Sequence, residues 1–207
     1  MPRRSLLPHP ARLARLLPGL VIYGVSIALM VRAELGLASW DVLHQGLSRR
    51  TGMSMGWAVI AVSVAVLLLW IPLRQRPGLG TLFNTLLVGL SADATLAVLP
   101  DVDHLAVRSG LLAAGVVLNG LATGLYIGAG LGPGPRDGLM TGLAARGLSI
   151  RLARTLIELS VLALGFLLGG TVGVGTVLYA VTIGPLAHYF IPRLTYHPPA
   201  VPQPRQA

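Results

Sequence analysis

Asp93, Asn119, Glu158 and His188 each interrupt a run of apolar residues long enough to cross a membrane. A charge at the bilayer centre costs roughly 2.5–3.5 kcal/mol on insertion scales, so such residues turn toward a protein interior or a water path and mark function by default. A buried carboxylic acid titrates nearer neutrality than a free one and imidazole does so unaided, which makes Asp93 and His188 the candidates for proton coupling. Asn119 and Glu158 join Asp41 and Asp137, two carboxylates that each follow a glycine-rich turn, as candidates for substrate binding. The N-terminus of a short helix held at membrane depth attracts anionic groups and recurs in transporter sites. Structural alternatives stand beside each. Asp137, two residues after Pro135, and Asp41, behind Ser39, are placed to cap a helix. Arg154 and Glu158 are four apart, the spacing of a same-face pair, and Asn119 opens a ridge of Gly120, Gly124 and Gly128 that lets another helix approach closely.

Other chemistry is missing from the sequence. The five histidines are scattered, there is no cysteine, and neither glycine loop matches a phosphate-binding loop or a dinucleotide fingerprint. Without a nucleophile and base at matched spacing, no catalytic residue, metal or cofactor is expected, and an enzyme is the least favoured class.

The elements that must position these residues are set by composition. Over 207 residues the chain is 54% hydrophobic and only 11% charged, with a mean hydropathy of +0.74, more apolar than a water-facing surface tolerates. All 16 basic residues are arginine and the net charge is +9. In a soluble chain this would suggest nucleic acid, but here the arginines lie between apolar runs and report topology instead. Six runs reach the roughly 20 residues that a helical crossing needs: about 16–33, 53–73, 79–99, 108–130, 152–170 and 172–192. Trp57 and Trp70, near the ends of the second, read as interfacial anchors. With both termini cytoplasmic, Arg3, Arg4, Arg12, Arg15, Arg74, Arg76, Arg136, Arg146, Arg151, Arg154, Arg193 and Arg205 fall on the inner side, which is 12 of the 16. The first run also has the basic flank of a signal peptide, but no small-residue cleavage site precedes Glu34.

An internal duplication supports the same layout. Shifting the chain by 96 residues aligns 24–50 with 120–146 with ten identities in 27, among them Gly36/Gly132, Asp41/Asp137, Gly46/Gly142 and Arg50/Arg146. A shift of 95 pairs Gly78, Gly80, Thr81 and Gly89 with Gly173, Gly175, Thr176 and Gly184, and places Asp93 opposite His188. Each copy holds three crossings, an odd number, so the second should lie inverted in the membrane, the arrangement of many secondary transporters. After the first crossing of each copy, Leu43 and Leu47, or Leu139 and Leu143, mark a short interfacial or re-entrant helix. The expected organisation is a basic cytoplasmic N-terminus (1–15), a first three-helix repeat (16–99), a second, inverted repeat (108–192) and a disordered cytoplasmic tail (193–207).

The segments GLASWDVLHQGLSRRTGMSMG and GLGPGPRDGLMTGL, with the run RLARTLIELSVLALGFLLGGTVGVGTVLYAVTIGP, resemble the YczE-like bacterial integral membrane proteins of the YczE/YyaS/YitT group. The resemblance spans most of residues 18–192; the chain ends without the C-terminal soluble domain of YitT members, which favours the YczE branch. It implies a multi-pass plasma-membrane protein without a cofactor and carries over no established site.

An all-α membrane protein of six crossings in two inverted repeats is thus expected. Its leading function is secondary transport of an unknown small molecule by rocking one repeat against the other, with proton coupling through Asp93 or His188. The rival is a non-transporting accessory or scaffold protein serving a biosynthetic or export partner. The expected partners are the bilayer, a small-molecule substrate and a second copy in a homo-oligomer, but no nucleic acid. The topology is testable because the natural chain has no cysteine: single cysteines at Ser48 and Ala144 should react with an impermeant maleimide from opposite sides. Labelling from one side contradicts the inversion.

Overall fold

The computed structural model describes residues 10–196. The described chain forms eight helices: α1 (Pro10–Ala33), α2 (Ser39–Thr51), α3 (Met55–Leu73), α4 (Leu79–Val98), α5 (Leu105–Gly128), α6 (Pro135–Ala144), α7 (Ile150–Leu167) and α8 (Val174–Leu194). Five of them, α1, α3, α4, α5 and α8, are long and apolar enough to cross a membrane. The fifth expected crossing, α7, falls short of that composition because Arg151, Arg154 and Glu158 all stand in its first half. The two short helices expected in the glycine loops are present as α2 and α6.

Two terminal boundaries differ from expectation. Helix α1 starts at Pro10, inside the segment read as a basic N-terminus. At the other end α8 continues to Leu194, and Tyr196 is bound by its N–H to Gly128 O (2.8 Å) and by its ring to Arg12 and Arg15, so 193–196 belong to the fold rather than to a tail. The rest of both terminal segments, 1–9 and 197–207, lies outside the described residues.

The helix ends follow local chemistry. Ser54 and Ser149, equivalent under the 95-residue shift, cap α3 and α7 by accepting from the N–H groups of Trp57 and Leu152. Gly36 and Gly132 take φ of +113° and +121°, a region closed to most side chains, and turn the chain after α1 and α5. Both turns dock on the start of a distant helix: Gly175 N–H donates to Leu35 O (2.7 Å), and Gly80 N–H to Leu131 O (2.8 Å). The two copies therefore make the same contact.

Packing sorts the helices into two groups that do not coincide with the two copies. Helices α1, α4, α5 and α8 pack together around α1 and α5, where Gly120, Gly124 and Gly128 receive Leu186, Phe190 and Leu194 of α8 as the glycine ridge suggested. Helices α2, α3, α6 and α7 form the second group around Trp40, Val66, Trp70 and Ile157, with Leu139 and Leu143 of α6 against them. Trp70 is a core residue, not the interfacial anchor expected: it is 2% exposed, donates from Nε1 to Pro135 O (3.0 Å) and packs its ring against Gly138. Trp57, 60% exposed, fits the anchor role. Outward-facing Leu68, Ile71, Leu82, Leu86, Leu159, Phe166 and Val181 present an apolar surface to lipid.

Where the groups meet, α3 and α4 touch backbone to backbone: a Cβ on Gly56 would stand 2.1 Å from Gly89 O, and one on Gly89 2.4 Å from Gly56 O. The equivalent helices α7 and α8 barely touch, and Gly184, the counterpart of Gly89, faces open space.

A Cβ on Gly138 would fall 1.9 Å from the Trp70 ring. Gly138→Ala should therefore destabilise by about 1–3 kcal/mol as an overpacked core site does. Gly110→Ala, with nothing within 4 Å, should be neutral or gain up to about 1 kcal/mol of helix propensity. Thermal unfolding followed by circular dichroism in detergent separates the two; equal melting temperatures would contradict the packing described.

Candidate functional site

The space left by the poor contact of α7 with α8 is a cavity of about 240 Å³, room for about eight waters at ~30 Å³ each. Both short helices start at its wall: Ala38, Ser39 and Trp40 from the start of α2, and Gly134, Pro135, Arg136 and Asp137 from the start of α6. Tyr23, Asn84, Thr123, Tyr126 and Tyr179 add polar groups from α1, α4, α5 and α8, and Arg154 and Glu158 come from α7.

At α6 the capping expectation holds. Pro135 occupies the first turn, and Asp137 accepts from Gly134 N–H (3.3 Å) and from the Tyr126 hydroxyl (2.7 Å). At α2 it fails. Asp41 makes no cap, because its carboxylate is drawn to Nδ1 of His44 one turn on (3.2 Å), and both side chains are buried in the packing of α2. The N-cap, Ala38, has no side-chain acceptor to offer, so the first amides of α2 are left uncapped beside the cavity.

Arg136, tallied above with the cytoplasmic arginines, instead reaches into this interior. Its guanidinium lies 5.6 Å from the centre of the Tyr23 ring and 5.4 Å from that of Trp40, both within cation–π range. Under the 96-residue shift Trp40 and Arg136 are equivalent positions, so the second residues of the two short helices meet in a cation–π contact. Among the described residues the guanidinium has no hydrogen bond and no carboxylate within 4 Å. The sequence held one signal for it: a Trp/Arg mismatch, next to the proline of a half-helix, inside the most similar stretch of the duplication.

The other candidates divide. Asn119 stands behind the wall, donating to Ser26 Oγ (2.9 Å) and accepting from the Tyr179 hydroxyl (2.9 Å), so it orients a lining residue without lining the cavity itself. Glu158 does line it, in contact with Arg154 Nε at 2.9 Å. Those side chains are 34% and 52% exposed, so the same-face pair expected from the spacing forms but is not buried. Asp93 lies apart from the cavity, at the α3–α4 contact, where it accepts from the Ser54 hydroxyl and from Gly56 N–H (2.6 Å). Its counterpart His188 is exposed on α8, and the two are not brought together. Among the described residues no three His, Asp or Glu side chains converge as a metal site.

The model of a family of unknown function, DUF6198, matches residues 10–192 of the chain, nearly all of the described fold. The chain belongs to this family. It is 44% identical over 177 residues to an uncharacterized protein of Haemophilus influenzae, covering 85% of this chain and 81% of that protein. It is also 33% identical over 178 residues to the uncharacterized membrane protein YczE of Bacillus subtilis (84% and 83% covered). To the uncharacterized protein YyaS of the same organism the identity is 31% over 186 residues (86% and 92% covered). No solved structure matches. The membership agrees with the YczE-like resemblance carried by the loop and helix segments quoted above, and with apolar helices that make this a multi-pass membrane protein.

Because both partners of the Arg154–Glu158 pair are substantially exposed, a double-mutant cycle with Arg154→Gln and Glu158→Gln should give a coupling below about 1 kcal/mol. Melting temperatures of the four proteins measure it. A coupling of about 3 kcal/mol or more would show that the pair is desolvated after all.

Proposed function

We propose that this protein is a secondary transporter of a small molecule in the bacterial inner membrane, with six crossings in two inverted repeats and both termini in the cytoplasm. The observation that carries this is the asymmetry between two equivalent helix pairs. One pair, α3–α4, is shut by the Gly56–Gly89 contact and by Asp93; the other, α7–α8, stands apart around a cavity lined by both short helices. In a duplicated chain with inverted halves, a closed gate on one face and an open one on the other is one end state of alternating access, and exchange of the two arrangements is the other. By the arginine distribution the closed pair lies toward the outside, so the cavity faces inward. A purely structural accessory role has no use for that cavity.

The moving parts follow from the packing. Helices α2, α3, α6 and α7 would rock as a unit against α1, α4, α5 and α8, so each moving body takes helices from both repeats, in place of one repeat rocking against the other. Asp93 couples the motion to protons: as a carboxylate it accepts from Ser54 and Gly56 and holds α3 to α4, and protonation from the outside removes acceptor capacity and loosens that gate.

In proteoliposomes loaded with a metabolite mixture, the wild type should accumulate or expel at least one component when a proton gradient is imposed. Asp93→Asn, which keeps the shape of the protonated acid, should fold, retain counterflow exchange and lose gradient-driven accumulation. Accumulation at the wild-type level in Asp93→Asn would remove Asp93 from the mechanism, and absence of any flux or exchange with the wild type would overturn transport.

A further inference from the structure

The cavity wall carries donors and carboxylates alike, and the donor left without an acceptor is Arg136. Arg136 brings a permanent positive charge and five N–H groups, none of them taken up by an acceptor among the described residues. It lies over the Tyr23 and Trp40 rings, contacts that leave its N–H donors unbound, and these form the fork that matches two oxygens of a carboxylate or phosphate. Trp40 is 5% exposed and its indole N–H is enclosed in the packing, so Trp40 serves the cavity through its ring, not through its N–H. The uncapped start of α2 adds backbone N–H groups and the positive end of a helix on the same wall.

The nearby carboxylates do not take up these donors. Asp41 is bound to His44, Asp137 to Tyr126 and Gly134, and Glu158 to Arg154. Two rings beside a cation leave its N–H donors unsatisfied; an acceptor with two oxygens completes them. Resting on the transport reading, we propose that the cavity binds a small oxyanion, a carboxylate or a phosphate, through the N–H fork of Arg136, with Trp40 and Tyr23 holding the guanidinium by cation–π contact. At about 240 Å³ the space suits a small solute or the head of a lipid, not a large amphiphile.

The test is binding, measured separately from flux. Purified protein in neutral detergent is titrated with sodium salts of mono- and dicarboxylates and of inorganic phosphate, and with the matching neutral amides, reading tryptophan fluorescence and melting temperature. At least one anion should stabilise the wild type and perturb the fluorescence while its amide does not. Arg136→Gln should weaken that anion roughly a hundredfold, the loss of two charge-assisted bonds; Arg136→Lys, which keeps the charge but not the fork, should lose less. A parallel arm places the protein in nanodiscs of phosphatidylcholine with and without phosphatidylglycerol. Stabilisation by phosphatidylglycerol that needs Arg136, without response to soluble anions, names a lipid headgroup as the oxyanion. Equal binding of anion and amide, equal binding by wild type and Arg136→Gln, or no response in either arm would overturn the proposal. Anion binding without flux removes transport and leaves this site standing, whereas flux of a neutral or cationic solute untouched by Arg136→Gln does the reverse.

Discussion

A helix that begins inside an apolar bundle brings its unpaired first-turn N–H groups with it, and lipid offers nothing to satisfy them. Two such helices, α2 and α6, begin at the same place in this protein, and much of the remaining architecture answers to that constraint. Asp137 and Pro135 deal with one start; the other is left open on a cavity. Glycines at positive φ bring the chain to these starts, and the neighbouring loop carbonyls of Leu35 and Leu131 are spent on the amides of Gly175 and Gly80 rather than on α2 or α6. Tyr126 and Tyr179 are held by Asp137 and Asn119, so the polar wall is rigid where it meets the cavity.

The same duplication that makes the two starts equivalent lets them differ. Trp40 and Arg136 occupy matching positions and are opposite in character, one a flat π face and the other a flat cation. Glycine at 89 meets glycine at 56, while its equivalent at 184 meets nothing. A bundle whose halves were merely copied for stability would close both contacts. Here the groups α1/α4/α5/α8 and α2/α3/α6/α7 are joined tightly along one seam, where Met55 and Val59 of α3 enter the core of α1, α4 and α5, and parted along the other.

Much of this was legible in the sequence, because lipid enforces long apolar runs and the duplication shows itself in Gly, Asp and Arg identities. The short helices, the Asp137 cap and the glycine ridge of α5 were readable from spacing alone. What escaped were contacts between residues far apart in the chain. Trp70 follows the pattern of an interfacial anchor until Gly138 of α6 is seen to make room for it. Asp41 matches Asp137 in sequence, but His44, with no counterpart at position 140, diverts it. Arg136 obeys the charge bias that sets topology, and only the fold shows it turned inward onto two rings. The composition of α7, too polar for an ordinary crossing, makes sense once Arg154 and Glu158 are seen to line a cavity.

The central claim, that the α3–α4 and α7–α8 contacts exchange, is tested most directly by pulsed electron–electron distance measurement. The chain has no cysteine of its own, so spin labels can be placed at the equivalent pairs Trp57/Ala94 and Leu152/Tyr189, all on exposed positions. At rest the first pair should be close and the second wide. With a bound or cycling solute a second population should appear in both, the first pair lengthening as the second shortens. Unchanging distributions under every condition, or two distances that grow and shrink together, would contradict the exchange.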